Sequence, residues 1–250
     1  MQLYLIRHGQ SVNNAMMEDQ LKRVHDPELT EVGKQQAQHL ADYFVKSREY
    51  ITSAGEKELP LASAYQENMP IDLNKLYCSA MHRALQTAQP LATALKMKTN
   101  VWLDIHEQGG VYLEKEGVVT GYGGRTRKQI TDEFPDYLLP DLITEDGWWL
   151  PNDGYEDYAR SIGRAIRVAD TLKKWATEPE TAEDRVGLVS HGTFIDTLLK
   201  ALTSNLPGSA FYYNHWNTAI TRIDFTTDQR EMRIRYINRV DHLPTELVTW

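Results

Sequence analysis

Two short apolar runs, Leu3-Tyr4-Leu5-Ile6 and Val186-Gly187-Leu188-Val189, each lead into a histidine-glycine pair. The first continues as Arg7-His8-Gly9 and the second as Ser190-His191-Gly192. Runs this short and this apolar read as strands buried on both faces, the pattern of a parallel sheet covered by helices. Ligands of such sheets bind beyond the carboxyl ends of the strands. Two strands therefore deliver two imidazoles to one sheet edge, where Arg7 adds a cation and the glycines add backbone freedom. Those are the parts of a phosphate pocket.

The rest of the chain supports that sheet. Period and punctuation place strands at 2–6, 75–78, 101–105 and 186–190. Helices are expected at 30–45, capped by Thr30, at 81–95, at 154–175 with Asn152 or Asp153 as cap, and at 194–202, begun at Thr193. Residues 219–225 and 232–240 read as a C-terminal hairpin about the polar turn 226–230, with Arg233-Ile234-Arg235-Tyr236-Ile237 alternating like an edge strand. The expected fold is α/β, a three-layer α/β/α sandwich on a mostly parallel sheet. The 250 residues are expected to form a single domain, 1–250, with irregular stretches at 47–74 and 108–152. The second, rich in glycine, is the expected lid and substrate-specificity insertion.

Composition narrows the function. Hydrophobic residues make up 41% and charged residues 25%, as in ordinary globular proteins, and no segment approaches a membrane span. The N-terminus runs straight into a strand with no signal-like segment, so a cytoplasmic location is expected. The single cysteine, Cys78, has no internal disulfide partner and reads as a small buried apolar residue. A net charge of −8 argues against a nucleic-acid partner gripped by its phosphates. A small phosphorylated ligand remains compatible, because a few arginines focused in a cleft bind it despite an acidic exterior. Oligomeric state is not legible.

The motifs carry further. Arg7-His8-Gly9-Gln10-Ser11-Val12-Asn13-Asn14 resembles the opening signature of the histidine phosphatase superfamily, in the branch of cofactor-dependent phosphoglycerate mutases and many small-molecule phosphatases. Leu29-Thr30-Glu31-Val32-Gly33, followed by Gln36-Ala37, is similar to that family's next helix entry. The stretch from Ser79 through Arg83-Ala84-Leu85-Gln86-Thr87-Ala88 is similar to its arginine motif. Leu103-Asp104-Ile105-His106-Glu107 resembles its acid-bearing segment, Ser190-His191-Gly192 its second histidine, and Asn217-Thr218-Ala219-Ile220-Thr221 its late strand.

The resemblance implies a phosphoglycerate mutase-like fold and a phosphatase working through phosphohistidine without metal or cofactor. His8 is then the nucleophile, its other ring nitrogen held as N–H by a backbone carbonyl. Arg7, Arg83, His191, Gly192 and Asn14 surround the phosphate. Glu107 is the proton donor and acceptor, favoured as an acid by burial beside a dianion, with Asp104 and Glu114 as nearby alternatives. His82 and His106 read as packing or rim residues. No His-Asp-Cys cluster has metal-ligand spacing.

After Ser11 the chain lacks the tryptophan-bearing pattern and proline-rich insertion of the mutases, so water is the expected acceptor and a phosphoglycerate-type mutase the alternative. A partner-binding protein with little catalysis is a third reading, disfavoured because every pocket residue is present. Arg125, Arg127 and Lys128, in a glycine-rich stretch, are candidates for a second anionic group of the substrate, against a solvated helix N-terminus. Trp148-Trp149-Leu150-Pro151 reads first as core packing, with an apolar wall or a lid closure as the alternative. Glu156 is assigned only to the first turn of a helix, through the macrodipole.

Overall fold

The computed structural model describes residues 1–16, 22–54, 71–149, 154–205, 211–226 and 231–250. In chain order the strands are β1 (Gln2–Arg7), β2 (Lys75–Cys78), β3 (Thr99–Val101), β4 (Tyr112–Lys115), β5 (Val118–Gly121), β6 (Tyr137–Leu138), β7 (Arg185–Ser190), β8 (Ile220–Phe225) and β9 (Met232–Arg239). The helices are α1 (Val12–Ala15), α2 (Glu31–Ala54), α3 (His82–Leu95), α4 (Arg127–Glu133), α5 (Tyr158–Trp175) and α6 (Gly192–Leu202). Seven strands form the main sheet in the order β6-β3-β2-β7-β1-β8-β9. The first five run parallel, and β8 and β9 are antiparallel additions.

The alternation of side chains along β1 and β7 builds two cores. Tyr4, Ile6 and Val189 face one cluster with Leu40 and Phe44 of α2 and Leu85 and Leu91 of α3. Leu3, Leu5, Val186 and Leu188 face the other, with Val168 and Leu172 of α5 and Phe194 and Leu198 of α6. A strand buried on both faces needs this continuous apolar run, so the sheet lies between two helical layers. β1 and β7 are neighbours in register, with Arg7 opposite Ser190. The two His-Gly pairs therefore leave the sheet side by side.

Several boundaries move. The strand expected at 101–105 ends at Val101 and gives way to a 3-10 turn, Leu103–Ile105, because Arg164 of α5 draws the carbonyls of Asp104 and His106 off the sheet, at 2.8 Å each. The first long helix continues past 45 to Ala54; no glycine or proline interrupts it there, and Arg48 ties it to Asp72 and to the carbonyls of Leu73 and Leu95. Helix α5 starts at Tyr158, capped by Asp157, whose side chain accepts from the Arg160 amide at 2.8 Å. The caps expected at Asn152 and Asp153 lie outside the described residues, as do Leu150 and Pro151.

The 108–152 insertion is less irregular than expected. Its first part, the β4–β5 hairpin, forms a two-stranded sheet of its own. The later part adds β6 to the sheet edge beside β3 and buries Ile130, Phe134, Tyr137 and Ile143 in the core shared with α2 and α3.

Candidate active site

The strand β1 ends where its backbone is held from several sides. The His8 amide donates to the Ser190 carbonyl at 2.9 Å, and the Asn217 side-chain amide donates to the His8 carbonyl at 3.1 Å. The Gly9 amide donates to Thr87 Oγ at 3.0 Å, and Thr87 belongs to the same helix as Arg83. The loop after His8 packs backbone to backbone on the start of α2. A Cβ on Gly33 would lie 2.1 Å from the Gln10 carbonyl oxygen, and one on Gly9 would lie 2.6 Å from that of Gly33. Only glycine permits that approach.

His8 is buried, and its Nδ1 lies 2.7 Å from its neighbour's carbonyl, Gly9 O. A carbonyl only accepts, so Nδ1 carries the proton and Nε2 presents a lone pair. That lone pair receives the Arg83 Nε–H at 3.1 Å. Burial first, then the Arg83 and Arg7 charges, hold the His8 pKa well below the usual histidine value. The ring is neutral.

The second imidazole lies close behind. The His191 ring centroid is 5.0 Å from that of His8, and His191 Nε2 is 2.8 Å from Ser79 Oγ. Its Nδ1 is buried with no hydrogen-bond partner among the described residues. Burial and the Arg83 charge lower its pKa well below the usual value too. Arg7 donates to the His215 carbonyl, and its buried Nε has no partner among the described residues. Burial pulls the Arg7 pKa down to about 10, opposed by Glu107. Gly192 opens α6 against that guanidinium: a Cβ there would sit 3.4 Å from Arg7 Nε.

Glu107 lies at the N-terminus of α6. Its carboxylate accepts the amides of Phe194 at 2.9 Å, Thr193 at 3.3 Å and Gln108 at 2.9 Å. The N-cap of that helix, His191, makes no side-chain cap bond, so Glu107 satisfies its open N–H groups from outside. The backbone leading into Glu107 is in turn fixed by Arg164, which is paired with Glu156 at 2.8 and 2.5 Å. Burial pushes the Glu156 carboxyl pKa up, but Arg164 and His106 outweigh it and bring the pKa down to about 2. Glu156 is therefore a buried counter-ion placed before the Asp157 cap, a correction to its reading as a first-turn helix charge.

Arg7, His8, Asn14, Arg83, Glu107 and Glu114 share the lining of one cleft of about 220 Å³. Asn14 turns its Oδ1 to the Ser11 amide and hydroxyl, at 3.0 and 2.9 Å, which leaves its NH₂ for the cleft. His191 lies beneath the lining rather than on it, and Asp104 is outside it. His82 pairs with Glu133 at 2.9 Å and His106 packs on Trp148 and Trp149, both as expected of packing residues. Arg125, Arg127 and Lys128 are not brought to the cleft wall. Arg125 pairs with Glu133, Arg127 donates to the carbonyls of Ile143 and Pro140, and Lys128 pairs with Asp132. Thr126 caps α4 with Gln129 in a capping box, so this stretch is a helix N-terminus.

Sequence reasoning missed Asp26, Arg23, His25 and Tyr112. The Asp26 carboxyl accepts the His82 amide at 3.0 Å and acts on Arg83 by its charge. Arg23, His25 and Tyr112 line the outer cleft. No periodicity or motif marks residues 22–27, which lie close to the site only because the chain folds back over α1.

The histidine phosphatase superfamily (branch 1) model matches residues 3–53 and 45–238. The chain belongs to this family. No curated protein matches it. Several solved structures share its fold. Mycobacterial hydrolase 1 has a TM-score of 0.56 at 23% identity, covering 95% of this chain and 98% of its own. A histidine-to-alanine variant of phosphoserine phosphatase from Entamoeba histolytica, in complex with phosphoserine, has 0.56 at 22%, covering 97% and 99%. Mycobacterial glucosyl-3-phosphoglycerate phosphatase in complex with VO3 has 0.54 at 24%, covering 95% and 98%. At these identities the likeness is one of fold. Within the superfamily fold, the described residues group no three His, Cys, Asp or Glu side chains to hold a metal ion, and no described helix is long and apolar enough to cross a membrane.

Proposed function

We propose that the protein is a metal-independent phosphatase that hydrolyses small phosphomonoesters through a phosphohistidine on His8. The observation that carries this reading is the state of one ring. His8 is neutral, its Nδ1 proton is committed to the Gly9 carbonyl, and its Nε2 lone pair faces the Arg83 guanidinium beside the cleft. A nucleophile needs that lone pair, and two arginines supply the charge that phosphoryl transfer requires.

The substrate phosphate enters between Arg7 and Arg83 and takes over the Arg83 N–H now directed at His8. Nε2 attacks phosphorus, the bond to the leaving oxygen breaks, and the Glu107 carboxyl protonates the departing alkoxide. The Glu107 carboxylate then removes a proton from water as the water oxygen attacks the phosphohistidine. Inorganic phosphate leaves, and neutral His8 and protonated Glu107 are restored. Arg7, Arg83, the Asn14 NH₂ and the backbone at Gly192 stabilise the transferring group. The dianion's arrival favours a protonated His191, whose unpartnered Nδ1 then has an anion to serve. In this reading residues 1–250 act as a single catalytic domain, with the β4–β5 part of the 108–152 insertion as its lid.

Phosphate release in EDTA from a panel of phosphomonoesters, by wild type and His8→Ala, tests the proposal. Release should resist the chelator and fall at least about a thousandfold in the variant, roughly 4 kcal/mol of transition-state stabilisation. Folded wild type that releases no phosphate overturns the hydrolytic reading. Isomerisation of a phosphoglycerate primed by a bisphosphate would then identify a mutase.

A further inference from the structure

Arg7 is held at one corner by a carbonyl that reaches it from a distant loop. Its Nη1 donates to the main-chain oxygen of His215. Arg7 lines the cleft, and its Nε has no hydrogen-bond partner among the described residues. One corner of the fork is therefore anchored and another is open. The anchoring loop is itself fixed through the His215 ring, which is buried. Its Nδ1 lies 2.8 Å from the Tyr213 carbonyl and its Nε2 lies 2.7 Å from Thr221 Oγ1. A carbonyl only accepts, so Nδ1 carries the proton and Nε2 accepts the Thr221 hydroxyl. The same hydroxyl oxygen accepts the Asn238 amide at 3.0 Å. Burial brings the ring's pKa down to about 4, against the Tyr213 carbonyl, which favours the proton. The neutral ring satisfies both of its neighbours. Before it, the Tyr213 amide donates to Asp196 of α6 at 2.9 Å, and after it the Trp216 amide donates to Asn238 Oδ1 at 2.7 Å.

We propose that His215 is a positioning residue for phosphoryl transfer: its ring fixes the 213–217 loop, and its own main-chain carbonyl aims the Arg7 guanidinium at the phosphate. The proposal rests on the phosphatase reading above and adds to it the device that orients one of the two arginines. An arginine side chain has many rotamers to lose. A donor displaced by about 1 Å gives up much of its effect on a transferring group. Strand pairing fixes the Arg7 backbone, whose amide donates to the Ala219 carbonyl at 3.2 Å, but it does not fix the fork. Arg83 differs, because its Nε is oriented by His8 itself. Among the described residues, the His215 carbonyl is the acceptor that the Arg7 side chain has. A ring with a purely structural role would stabilise the loop without setting the direction of Arg7, and the two roles separate in a double-mutant cycle.

The test is kcat and KM for p-nitrophenyl phosphate, with the melting temperature, in wild type, His215→Phe, Arg7→Lys and the double variant. Phenylalanine keeps the ring and loses both of its hydrogen bonds. His215→Phe should lower kcat/KM about tenfold in the wild-type background. In the Arg7→Lys background it should cost less than about twofold, because no fork is left to aim. If His215→Phe does not fold, His215→Asn carries the same comparison: its amide N–H still serves the Tyr213 carbonyl, and the loss in the wild-type background should be about threefold. An equal loss in both backgrounds, or an unchanged kcat/KM in a folded variant, overturns the positioning role while His8→Ala still abolishes release. Release that survives His8→Ala overturns the phosphatase reading beneath it.

Discussion

The floor and the rim of the cleft are built differently. The floor is made of strand ends and helix starts: Arg7 and His8 from β1, Arg83 from the first turn of α3, His191 at the head of α6, all packed within or against the two cores. The rim is made of the 22–27 loop and the β4–β5 hairpin, where Arg23, His25 and Glu114 are exposed. Floor residues have fixed partners and perturbed acidities; rim residues are held by a few bonds and one ring stack. The difference teaches where chemistry and choice reside. A reaction that needs one lone pair at one point belongs on a rigid sheet edge, and a choice of substrate belongs on loops that vary without disturbing it.

The largest effect expected after loss of His8 itself is on proton transfer. Glu107→Gln keeps one acceptor oxygen for the Phe194 and Gln108 amides and gives up only the longer Thr193 contact, so the fold should persist, while turnover of alkyl phosphates falls about a thousandfold. Turnover of p-nitrophenyl phosphate, whose leaving group needs little protonation, should fall far less. Equal losses would remove Glu107 from proton transfer. Arg83→Lys keeps the charge but loses the fork that bonds His8, and kcat should drop about a hundredfold with the melting temperature little changed. A small kcat effect would mean that charge alone organises the floor.

Effects on stability come next. Gly33→Ala places a methyl against the Gln10 carbonyl and should cost about 2 kcal/mol, read by chemical denaturation. The floor should also be acid-sensitive. Burial lowers the pKa of His8 and His191 well below the usual value, and takes His215 and His242 to about 4. Below pH 6.5, the ordinary histidine value, the unfolded chain gains these protons and the folded chain does not. Stability is therefore present above pH 6.5 and declines as pH falls from there toward 4. The Glu156–Arg164 pair is not lost until pH drops below 4.5 toward 2. A melting temperature that rises between pH 6.5 and pH 4.5 would contradict neutral buried histidines. The smallest effect belongs to the insertion: Arg125→Ala and Arg127→Ala should leave the ranking of substrates intact and shift stability by roughly 0.5 kcal/mol. A changed ranking would return those cations to the site.

The floor was legible because its signals are local. Apolar runs of strand length adjoin Arg7-His8 and Ser190-His191, and parallel pairing brings them together without further information. The same held for Arg83, at the start of a helix entered from a strand. Glu107 was legible by its segment, but not its seat at the head of α6, which depends on Arg164, far away in sequence. The rim was not legible. Arg23 and His25 reach the cleft through a loop with no periodicity, and the Gly121-Tyr122-Gly123-Gly124-Arg125 stretch offers cations whose partners, Glu133 and the 140–143 carbonyls, appear only once α4 has packed on the core. The 101–105 strand failed for a similar reason: Arg164 captures carbonyls that an apolar pattern would assign to the sheet.

The most direct measurement is a rapid acid-free quench of wild type and His8→Ala during turnover of a labelled phosphomonoester, followed by mass mapping of the phosphorylated residue. A phosphoryl group on His8 that forms and decays at rates compatible with turnover is the expected result, with no labelled protein in the variant. Turnover without a phosphoenzyme, or a phosphoryl group mapped to another residue, would contradict the account.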